Sequence, residues 1–503
     1  MKKIVFIESR PPDIHVFTRS PIPRLGTVLL GTILKQHGYD VKSYVEDISE
    51  MDIEDVLSAD AVGISTITST SPRSYEIAKH LRKAGIPVFM GGPHVTYMVD
   101  EALDYCDYVM RGEADDHIVD FIKALEQGSG FDGIPGLSYR GKDGTVAHNR
   151  IVSFCKDVNA LPSPDFSIVQ GLGKDWIKNV PITPIMTSRG CPYDCSFCSV
   201  TQMFGHKYRF RSNDKTIAEL ESYMGAGAKW VFFYDDNFIA DRKRTKELLT
   251  MMIERRLTPN WTAQVRVEVA KDPELLDLMK RSGCHTVYIG FESINPETLK
   301  AYNKKQSVED IEVCIKRLHE NGIRIHGMFV FGSDEDTTDT IHETLRFAKK
   351  MDLESIQFLI LTPLPGTKLY NDFEKNSRIV SRDWSLYDAH HVVFEPKKMS
   401  YYELQSETMK ATKKFYSIWQ IAKRAARLDI FNVAIKAYGR SLTKAWFKRN
   451  GYFVEYTRAL TTAGRAVQLA AKKTAEDIKE KFGRIEVSGS IVRPNPNPRV
   501  ISK

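Results

Sequence analysis

Three cysteines stand close together near the middle of the chain, in the stretch CPYDCSFC of residues 191–198. With offsets of four and three residues, the thiols of Cys191, Cys195 and Cys198 can converge on one soft metal centre. A structural zinc site closes with four protein ligands, and iron–sulfur clusters are normally held by four thiolates. Three thiols therefore indicate a cluster with one iron left free. A zinc knuckle completed by His206, or a disulfide with a spare thiol, is the alternative.

The C-x3-C-x2-C spacing, with Phe197 directly before the last cysteine, resembles the cluster loop of the radical S-adenosylmethionine (radical SAM) superfamily. The resemblance implies that the three cysteines hold a 4Fe-4S cluster whose open iron binds the methionine end of SAM, with Phe197 as a cofactor contact. It further implies that the reduced cluster cleaves SAM to a 5′-deoxyadenosyl radical, which abstracts hydrogen from a substrate.

A loop of this kind needs a scaffold, and the residues around it alternate strand-like and helical patterns. Six strand-like runs lie between residues 183 and 361, and Ser212 precedes one of the intervening helices as a candidate cap. Six units are too few for an eight-fold barrel. The pattern suits the open, partial (β/α)6 barrel of radical SAM enzymes, which we predict over residues 179–394.

Barrel chemistry collects at the C-terminal ends of the strands. A carboxylate there suits the SAM ammonium, and a guanidinium suits its carboxylate as a planar two-donor fork. Residues 235–236 could instead form a structural turn and Glu292 could cap a helix, and these are the alternatives to a cofactor contact. The resemblance implies SAM contacts at six residues: Tyr234, Asp235, Asp236, Arg266, Glu292 and Ser293.

The first 150 residues also alternate short apolar runs with helical patterns, which predicts a Rossmann-like parallel sheet flanked by helices. Ligands of such folds bind beyond the carboxyl ends of the strands. The segments at those ends, in front of a cluster loop, resemble the cobalamin-binding domain of class B radical SAM proteins. Ordinary strand-to-helix turns are the alternative. The resemblance implies cobalamin contacts at eight residues: Ser65, Thr66, Thr68, Gly91, Gly92, His94, Gly112 and Glu113.

One possible cobalt ligand lies after the first strand. Cobalamin-dependent mutases and methionine synthases carry an Asp-x-His-x-x-Gly motif whose histidine ligates cobalt. Here Asp13 and His15 match, but Thr18 stands at the glycine position. We therefore expect His15 to be a polar loop residue.

Length and composition narrow the class of protein. A chain of 503 residues predicts two to four domains. No apolar run approaches the roughly 20 residues that span a bilayer, and the first residues indicate a strand, not a signal peptide. The seven cysteines do not form the pattern of a disulfide framework, so we expect the reducing cytoplasm.

The C-terminal part carries the positive charge. Residues 401–503 contain 21 Lys and Arg against 8 Asp and Glu, whereas the net charge of the whole chain is +7. Within residues 395–484 the sequence predicts basic, aromatic-bearing helices over residues 402–425, 431–449 and 454–478. These helices could lie on an anionic membrane or cap the open side of the barrel, and we favour the cap. Residues 151–178 are a predicted linker, and residues 485–503 are a predicted disordered tail.

The sequence thus predicts an α/β protein with a Rossmann-like cobalamin-binding domain, a partial radical SAM barrel and a helical C-terminal region. We expect a radical SAM enzyme that methylates an unactivated carbon with cobalamin. Radical cyclisation or carbon–carbon bond formation on a tetrapyrrole or lipid is the alternative, and a non-catalytic cobalamin or iron–sulfur sensor is another. The expected partners are a small-molecule, lipid or tetrapyrrole substrate and an electron donor such as flavodoxin or ferredoxin. No nucleic-acid-binding module is recognised.

Overall fold

The computed structural model describes residues 2–11, 22–141, 143–150 and 154–482. His15 and the predicted tail over residues 485–503 lie outside this part of the chain. Two sheets with helices packed against them organise the described residues. The domain boundaries given above stay predictions.

The N-terminal sheet has seven strands. Its strands are β1 (Lys3–Glu8), β2 (Asp40–Val45), β3 (Ala61–Ser65), β4 (Val88–Gly91), β5 (Tyr108–Met110), β6 (Leu137–Arg140) and β7 (Val146–His148). They follow the order β2–β1–β3–β4–β5–β6–β7, in which the first five are parallel and the last two antiparallel. The parallel part confirms the Rossmann-like prediction, whereas the antiparallel extension was not predicted because its strands span only four and three residues.

Helices fill the connections of this sheet: α1 (Leu25–Gln36), α2 (Ile53–Leu57), α3 (Ser71–Lys83), α4 (Pro93–Tyr97), α5 (Val99–Leu103) and α6 (Ile118–Gln127). The apolar face of α1, with Val28 and Leu29, packs on the sheet because these residues recur at helical spacing. The segment predicted as a linker also packs: the rings of Phe166 and Trp176 lie 4.4 Å apart, and both side chains are buried.

The central sheet has six parallel strands, which curve into an open barrel. Its strands are β8 (Thr183–Ile185), β11 (Trp230–Phe233), β12 (Asn260–Val265), β13 (Cys284–Glu292), β14 (Arg324–Phe331) and β15 (Ser355–Ile360), and a separate pair is formed by β9 (Ser188–Arg189) and β10 (Arg209–Phe210). The order β15–β14–β13–β12–β11–β8 leaves β15 and β8 as free edges. The six-unit barrel predicted from the sequence is confirmed.

The barrel helices begin at residues that cap them. Ser212 accepts a hydrogen bond from the Lys215 N–H, as predicted, and Asp272 accepts one from the Leu275 N–H. The helices are α7 (Trp176–Asn179), α8 (Val200–Phe204), α9 (Asn213–Gly225), α10 (Arg242–Glu254), α11 (Pro273–Arg281), α12 (Pro296–Ala301), α13 (Val308–Glu320), α14 (Thr338–Lys350) and α15 (Lys368–Lys375).

Three further helices follow: α16 (Tyr401–Phe415), α17 (Ile418–Ala425) and α18 (Ile430–Phe482). The sequence predicted two helices over residues 431–449 and 454–478, but the structure has one continuous helix, since Gly451 costs a helix only about 1 kcal/mol and no proline interrupts it. None of the helices in the described part of the chain combines the length and apolarity needed to cross a bilayer.

The C-terminal helices cover the free edge of the barrel. The Tyr416 hydroxyl accepts a hydrogen bond from the Ile356 N–H at 2.9 Å and donates one to the Ile356 carbonyl at 2.7 Å. An uncovered strand edge carries unpaired backbone groups. A tyrosine side chain therefore completes the hydrogen bonding of β15, in agreement with the predicted cap.

Candidate active site

The three cysteines lie on the loop between β9 and α8, and all three are half-buried. Gly190 allows the tight entry to this loop: its φ is +89°, and a Cβ there would lie 2.6 Å from the Lys207 carbonyl oxygen. Further along, the Ser196 N–H donates to the Tyr302 carbonyl, and the Phe197 and Tyr302 rings lie 4.9 Å apart. Phe197 therefore fastens the loop to the barrel.

The thiols suit a cluster better than a single ion. Burial raises the pKa of Cys198 to about 12 and also raises that of Cys191, and in both cases the other thiols add to the shift. The positive charge of nearby iron ions would lower the pKa of these thiols. Within the described ranges, no three His, Cys, Asp or Glu side chains are grouped to hold one ion, and His206 lies 3.9 Å from Asp194 with its side chain 56% exposed. In a 4Fe-4S cluster each cysteine binds a different iron, so the three sulfur atoms need not surround a single ion.

Asp235 has a structural role that the sequence did not reveal. One carboxylate oxygen accepts hydrogen bonds from the Thr187 N–H at 2.9 Å and the Ser188 N–H at 2.6 Å, and the other accepts from the Thr187 hydroxyl. These residues lead directly into the cluster loop. The predicted contact between Asp235 and the SAM amino group is therefore replaced by a role in fixing the backbone before Cys191.

Asp236 and Tyr234 point the other way from Asp235, because neighbouring residues of an extended segment face opposite sides. Both line a large cavity inside the barrel. Burial, together with Asp235, raises the pKa of Asp236 to about 7. A buried carboxylate that gains from a nearby positive charge is suited to an ammonium group, so Asp236 fits the predicted SAM contact.

Arg266 lies against the cluster loop. Its guanidinium carbon is 3.7 Å from the ring centroid of Tyr193, inside the cysteine motif. Nη2 donates to the Lys304 carbonyl at 2.7 Å, and Nε and Nη2 lie 3.2 Å from Glu268. Nη1 stays outside these hydrogen bonds. The side chain is thus held beside the cysteines with one nitrogen left for a carboxylate.

Glu292 and Ser293 end β13, and both are buried. The Glu292 carboxylate lies 2.6 Å from the Lys304 ammonium, and a Cβ at Gly290 would clash with it at 2.3 Å. Ser293 accepts a hydrogen bond from the Asn295 N–H. Glu292 thus has an ionic partner and Ser293 closes a turn, and the SAM contacts at these residues stay predictions.

The N-terminal contacts predicted for cobalamin divide into two groups. Gly92 has φ +106°, and a Cβ there would lie 2.6 Å from the Thr66 carbonyl oxygen, so this glycine serves backbone packing. At Gly112 a Cβ would meet no atom within 4 Å, and the buried Thr66 hydroxyl has no hydrogen-bond partner among the described residues. Open space and an unpaired hydroxyl fit a ligand at these two positions.

The remaining predicted contacts are used by the protein itself. His94 is fully buried and packs on Trp384, with ring centroids 5.1 Å apart, so its cofactor contact stays a prediction that this packing does not support. Thr68 lies buried in the turn before α3, Gly91 ends β4, and the Ser65 carbonyl lies 3.5 Å from Arg24.

Glu113 also has a different role from the predicted one. One oxygen lies 3.0 Å from Arg189, and the other lies 2.5 Å from Arg209. The carboxylate also accepts a hydrogen bond from the Cys155 N–H at 2.7 Å. Asp115 lies 2.7 Å from Arg189 as well. This network joins the N-terminal sheet to the strand that leads into the cluster loop.

A cavity of about 670 Å³ lies inside the barrel, and Asp236 is part of its wall. Glu8, Arg24 and Asp47 reach it from the N-terminal sheet, whereas α18 closes the opposite end. The sequence interpretation missed its walls, although the alternating residues of the barrel strands were the available signal. The walls include six inward-facing side chains: Trp230, Phe232, Thr262, Gln264, Tyr288 and His326.

Comparison with known proteins identifies the family. The sequence matches the radical SAM superfamily over residues 185–348 and the B12 binding domain family over residues 18–122. An uncharacterised methyltransferase of Pyrococcus horikoshii is 32% identical over 441 residues, which cover 85% of this chain and 94% of the relative. The chain is a radical SAM enzyme of the cobalamin-binding family. Its cofactors are a 4Fe-4S cluster, SAM and cobalamin.

Two further comparisons agree with this assignment. The bacteriochlorophyllide d C-12(1)-methyltransferase of Chlorobaculum tepidum is 30% identical to this radical SAM enzyme and covers 87% of it, with 89% of the relative matched. The solved structure of the cobalamin-dependent SAM radical enzyme OxsB superposes on 96% of the chain, and on 81% of its own, with a TM-score of 0.69 at 15% identity. The latter shows a shared fold.

Proposed function

We propose that this enzyme methylates a carbon of a largely apolar small molecule bound in the barrel cavity. The cavity carries the proposal, because it runs from the N-terminal sheet past Asp236 to the aromatic wall formed by Trp230, Phe232 and Tyr288. Aromatic walls favour a substrate with large apolar area. In support, the two relatives described above, which are 32% and 30% identical to this chain, are named as methyltransferases.

The cofactors supply the difficult chemistry and the protein positions the reactants. When bound, the cluster provides an electron to SAM, and cobalamin provides the methyl group. Cys191, Cys195 and Cys198 would hold the cluster, Asp236 would accept hydrogen bonds from the SAM ammonium, and Arg266 would donate to its carboxylate. The walls of the cavity would exclude water from a reactive carbon.

Product analysis tests the proposal. Enzyme reconstituted without oxygen is incubated with SAM, dithionite and a candidate substrate. A methylase of this type forms 5′-deoxyadenosine and S-adenosylhomocysteine together, with the mass of the substrate raised by one CH₂. Some members of the family are cyclases. If 5′-deoxyadenosine forms with a changed substrate and without S-adenosylhomocysteine, the enzyme is a cyclase.

We also propose that the enzyme contacts an anionic membrane surface through an exposed apolar patch on α17 and at the start of α18. Ile418, Trp419, Leu428 and Ile430 are 64%, 75%, 86% and 80% exposed. Exposed large apolar side chains that lie close together in the sequence can mark an interaction surface. Lys423, exposed on the same helix, suits acidic lipids, whereas Arg427 is paired with Asp352.

Vesicle sedimentation tests this contact. The reconstituted enzyme should sediment with phosphatidylglycerol vesicles and not with phosphatidylcholine vesicles. Trp419→Ser should weaken the binding about tenfold, because an indole ring is lost from the interface. Tyr452→Ser, at a side chain that is 68% exposed but outside the patch, is the matched control. Equal binding by both variants would remove the patch from consideration.

The reaction further requires an external one-electron donor. We propose a flavodoxin or ferredoxin, since the cluster loop is half-buried and within reach of a docked protein. Replacing dithionite with either reduced protein should support formation of 5′-deoxyadenosine.

A further inference from the structure

One end of the barrel cavity carries a cation. Arg324 begins β14, lines the cavity and lies with its guanidinium carbon 4.5 Å from the ring centroid of Phe431 on α18. Its Nη1 is 3.1 Å from His285 Nε2. Burial and Arg324 lower the pKa of His285 to about 4, so the ring is neutral and accepts this hydrogen bond.

Arg324 lacks the acidic partner that several arginines near the site have. Arg189, Arg211 and Arg266 each have a carboxylate within 3.2 Å, whereas Arg324 has none within 4 Å among the described residues. Glu354 shares this end of the cavity, but it accepts a hydrogen bond from the Ile325 N–H and lies 3.4 Å from His319. A partly buried guanidinium whose only partners are a neutral imidazole and an aromatic ring keeps an unbalanced positive charge that an anion could neutralise.

A second polar group points to the same ligand. His326 lies two residues further along β14, on the same face, and is only 5% exposed. Its Nδ1 is 2.8 Å from the Ser355 hydroxyl. Its Nε2 makes no hydrogen bond of good geometry in the described chain, although the Gln357 side chain lies near the ring. When Nδ1 accepts from Ser355, the proton resides on Nε2. The ring then offers a neutral donor to the cavity.

We propose that the substrate carries a carboxylate that binds between Arg324 and His326. This inference rests on the proposed function and names the class of substrate. A singly charged anion fits this end of the cavity, because one guanidinium supplies the positive charge and the Glu354 carboxylate lies at the same end. A phosphate dianion would need further cations.

The position of the carboxylate sets the length of the substrate. Along β11, the cavity wall runs from Trp230 to Tyr234, four residues or about 13 Å at 3.3 Å per residue. Asp236, the proposed contact of the SAM ammonium, lines the cavity two residues beyond Tyr234. The substrate is therefore an elongated, mainly apolar molecule whose reacting carbon lies about 13 Å or more from its carboxylate. Ile430, in the exposed apolar patch, adjoins Phe431 at the carboxylate end.

A pair of probes that differ only in the anion tests the proposal. Calorimetric titration of the reconstituted enzyme with 1-pyrenebutyrate and 1-pyrenebutanol compares a carboxylate with an alcohol on the same aromatic body. We expect the carboxylate to bind at least tenfold more tightly. Arg324→Gln should abolish this preference, and His326→Gln should reduce it about threefold. Arg346→Gln, at a side chain that is 69% exposed, should leave it unchanged.

The outcomes separate this proposal from the proposed function. Equal binding of the two probes, no binding of either, or a preference that survives in the folded Arg324→Gln protein would each overturn the carboxylate site. Folding of each variant is checked by its unfolding midpoint. Because the titration involves no turnover, a retained preference without methyl transfer would count against the proposed function alone.

Discussion

The carboxylate of Glu113 lies 3.0 Å from the guanidinium of Arg189, two residues before the first cysteine of the cluster loop. Both side chains are almost completely buried, and the contact crosses from the N-terminal sheet to the barrel. The cluster loop is thus held by a residue of the cobalamin-binding domain. The two cofactor-binding parts of the enzyme are therefore linked through one ionic network.

We expect Glu113→Gln to destabilise the enzyme by about 3–5 kcal/mol, because it leaves buried Arg189 and Arg209 without that carboxylate. The free energy of unfolding in urea measures the effect, and the iron content after reconstitution should fall with it. Glu221→Gln removes an exposed ion pair with Arg255 and should cost no more than about 0.5 kcal/mol. Equal effects of the two substitutions would show that the buried network contributes no more to stability than an exposed ion pair does.

Asp235 and Asp236 should respond differently to substitution by asparagine. Asp235→Asn replaces one of the two acceptor oxygens with an NH₂ donor and removes the negative charge, so the Thr187 hydroxyl or the two backbone N–H groups lose their acceptor and cluster loading should fall. Asp236→Asn should keep the iron content and weaken SAM binding about tenfold, since an amide attracts an ammonium less strongly than a carboxylate does. Iron analysis and equilibrium dialysis with SAM separate the two roles. A reversed pattern would exchange the assignments of the two residues.

Stability should depend on pH through His326. Burial lowers the pKa of His326 to about 4, below its usual 6.5. Between these values the unfolded chain binds more protons than the folded one, so stability is lost as pH falls from 6.5 towards 4. The full difference amounts to about 3 kcal/mol. His326→Gln should make the decline of unfolding free energy with pH shallower; His285 leaves a residual slope in the same direction. An unchanged slope would contradict the buried, neutral ring.

The stability of the β15 edge should depend on the hydroxyl group of Tyr416. Tyr416→Phe removes both hydrogen bonds to the Ile356 backbone and should cost about 1–3 kcal/mol, because buried backbone groups are left unpaired. Hydrogen exchange at the Ile356 amide should accelerate. Tyr452→Phe, at an exposed ring, provides the control. Unchanged exchange at Ile356 would mean that other groups protect this edge.

The larger features were predictable from the sequence because each repeats a strong local pattern. Strands and helices alternate at their own periods, and Cys191, Cys195 and Cys198 lie on a loop with a distinctive spacing. The partner that each individual polar side chain binds was not predictable. Asp235 and Asp236 are adjacent and chemically identical, yet one binds backbone N–H groups and the other faces the cavity.

Contacts between residues that are far apart in the chain explain the other differences between prediction and structure. Nothing in the sequence near Glu113 or His94 indicates that Arg189 and Trp384 will meet them, since these partners lie 76 and 290 positions away. The joining of two predicted helices into α18 likewise depends on packing that outweighs one glycine.

The central claim is that three cysteines hold a cluster with an open iron for SAM. The most direct test is the formation of 5′-deoxyadenosine from SAM and dithionite by the anaerobically reconstituted enzyme and by its Cys195→Ala variant. The account predicts product with the wild-type enzyme and none with the variant, because two thiolates cannot hold the cluster. Equal product from both proteins would contradict it.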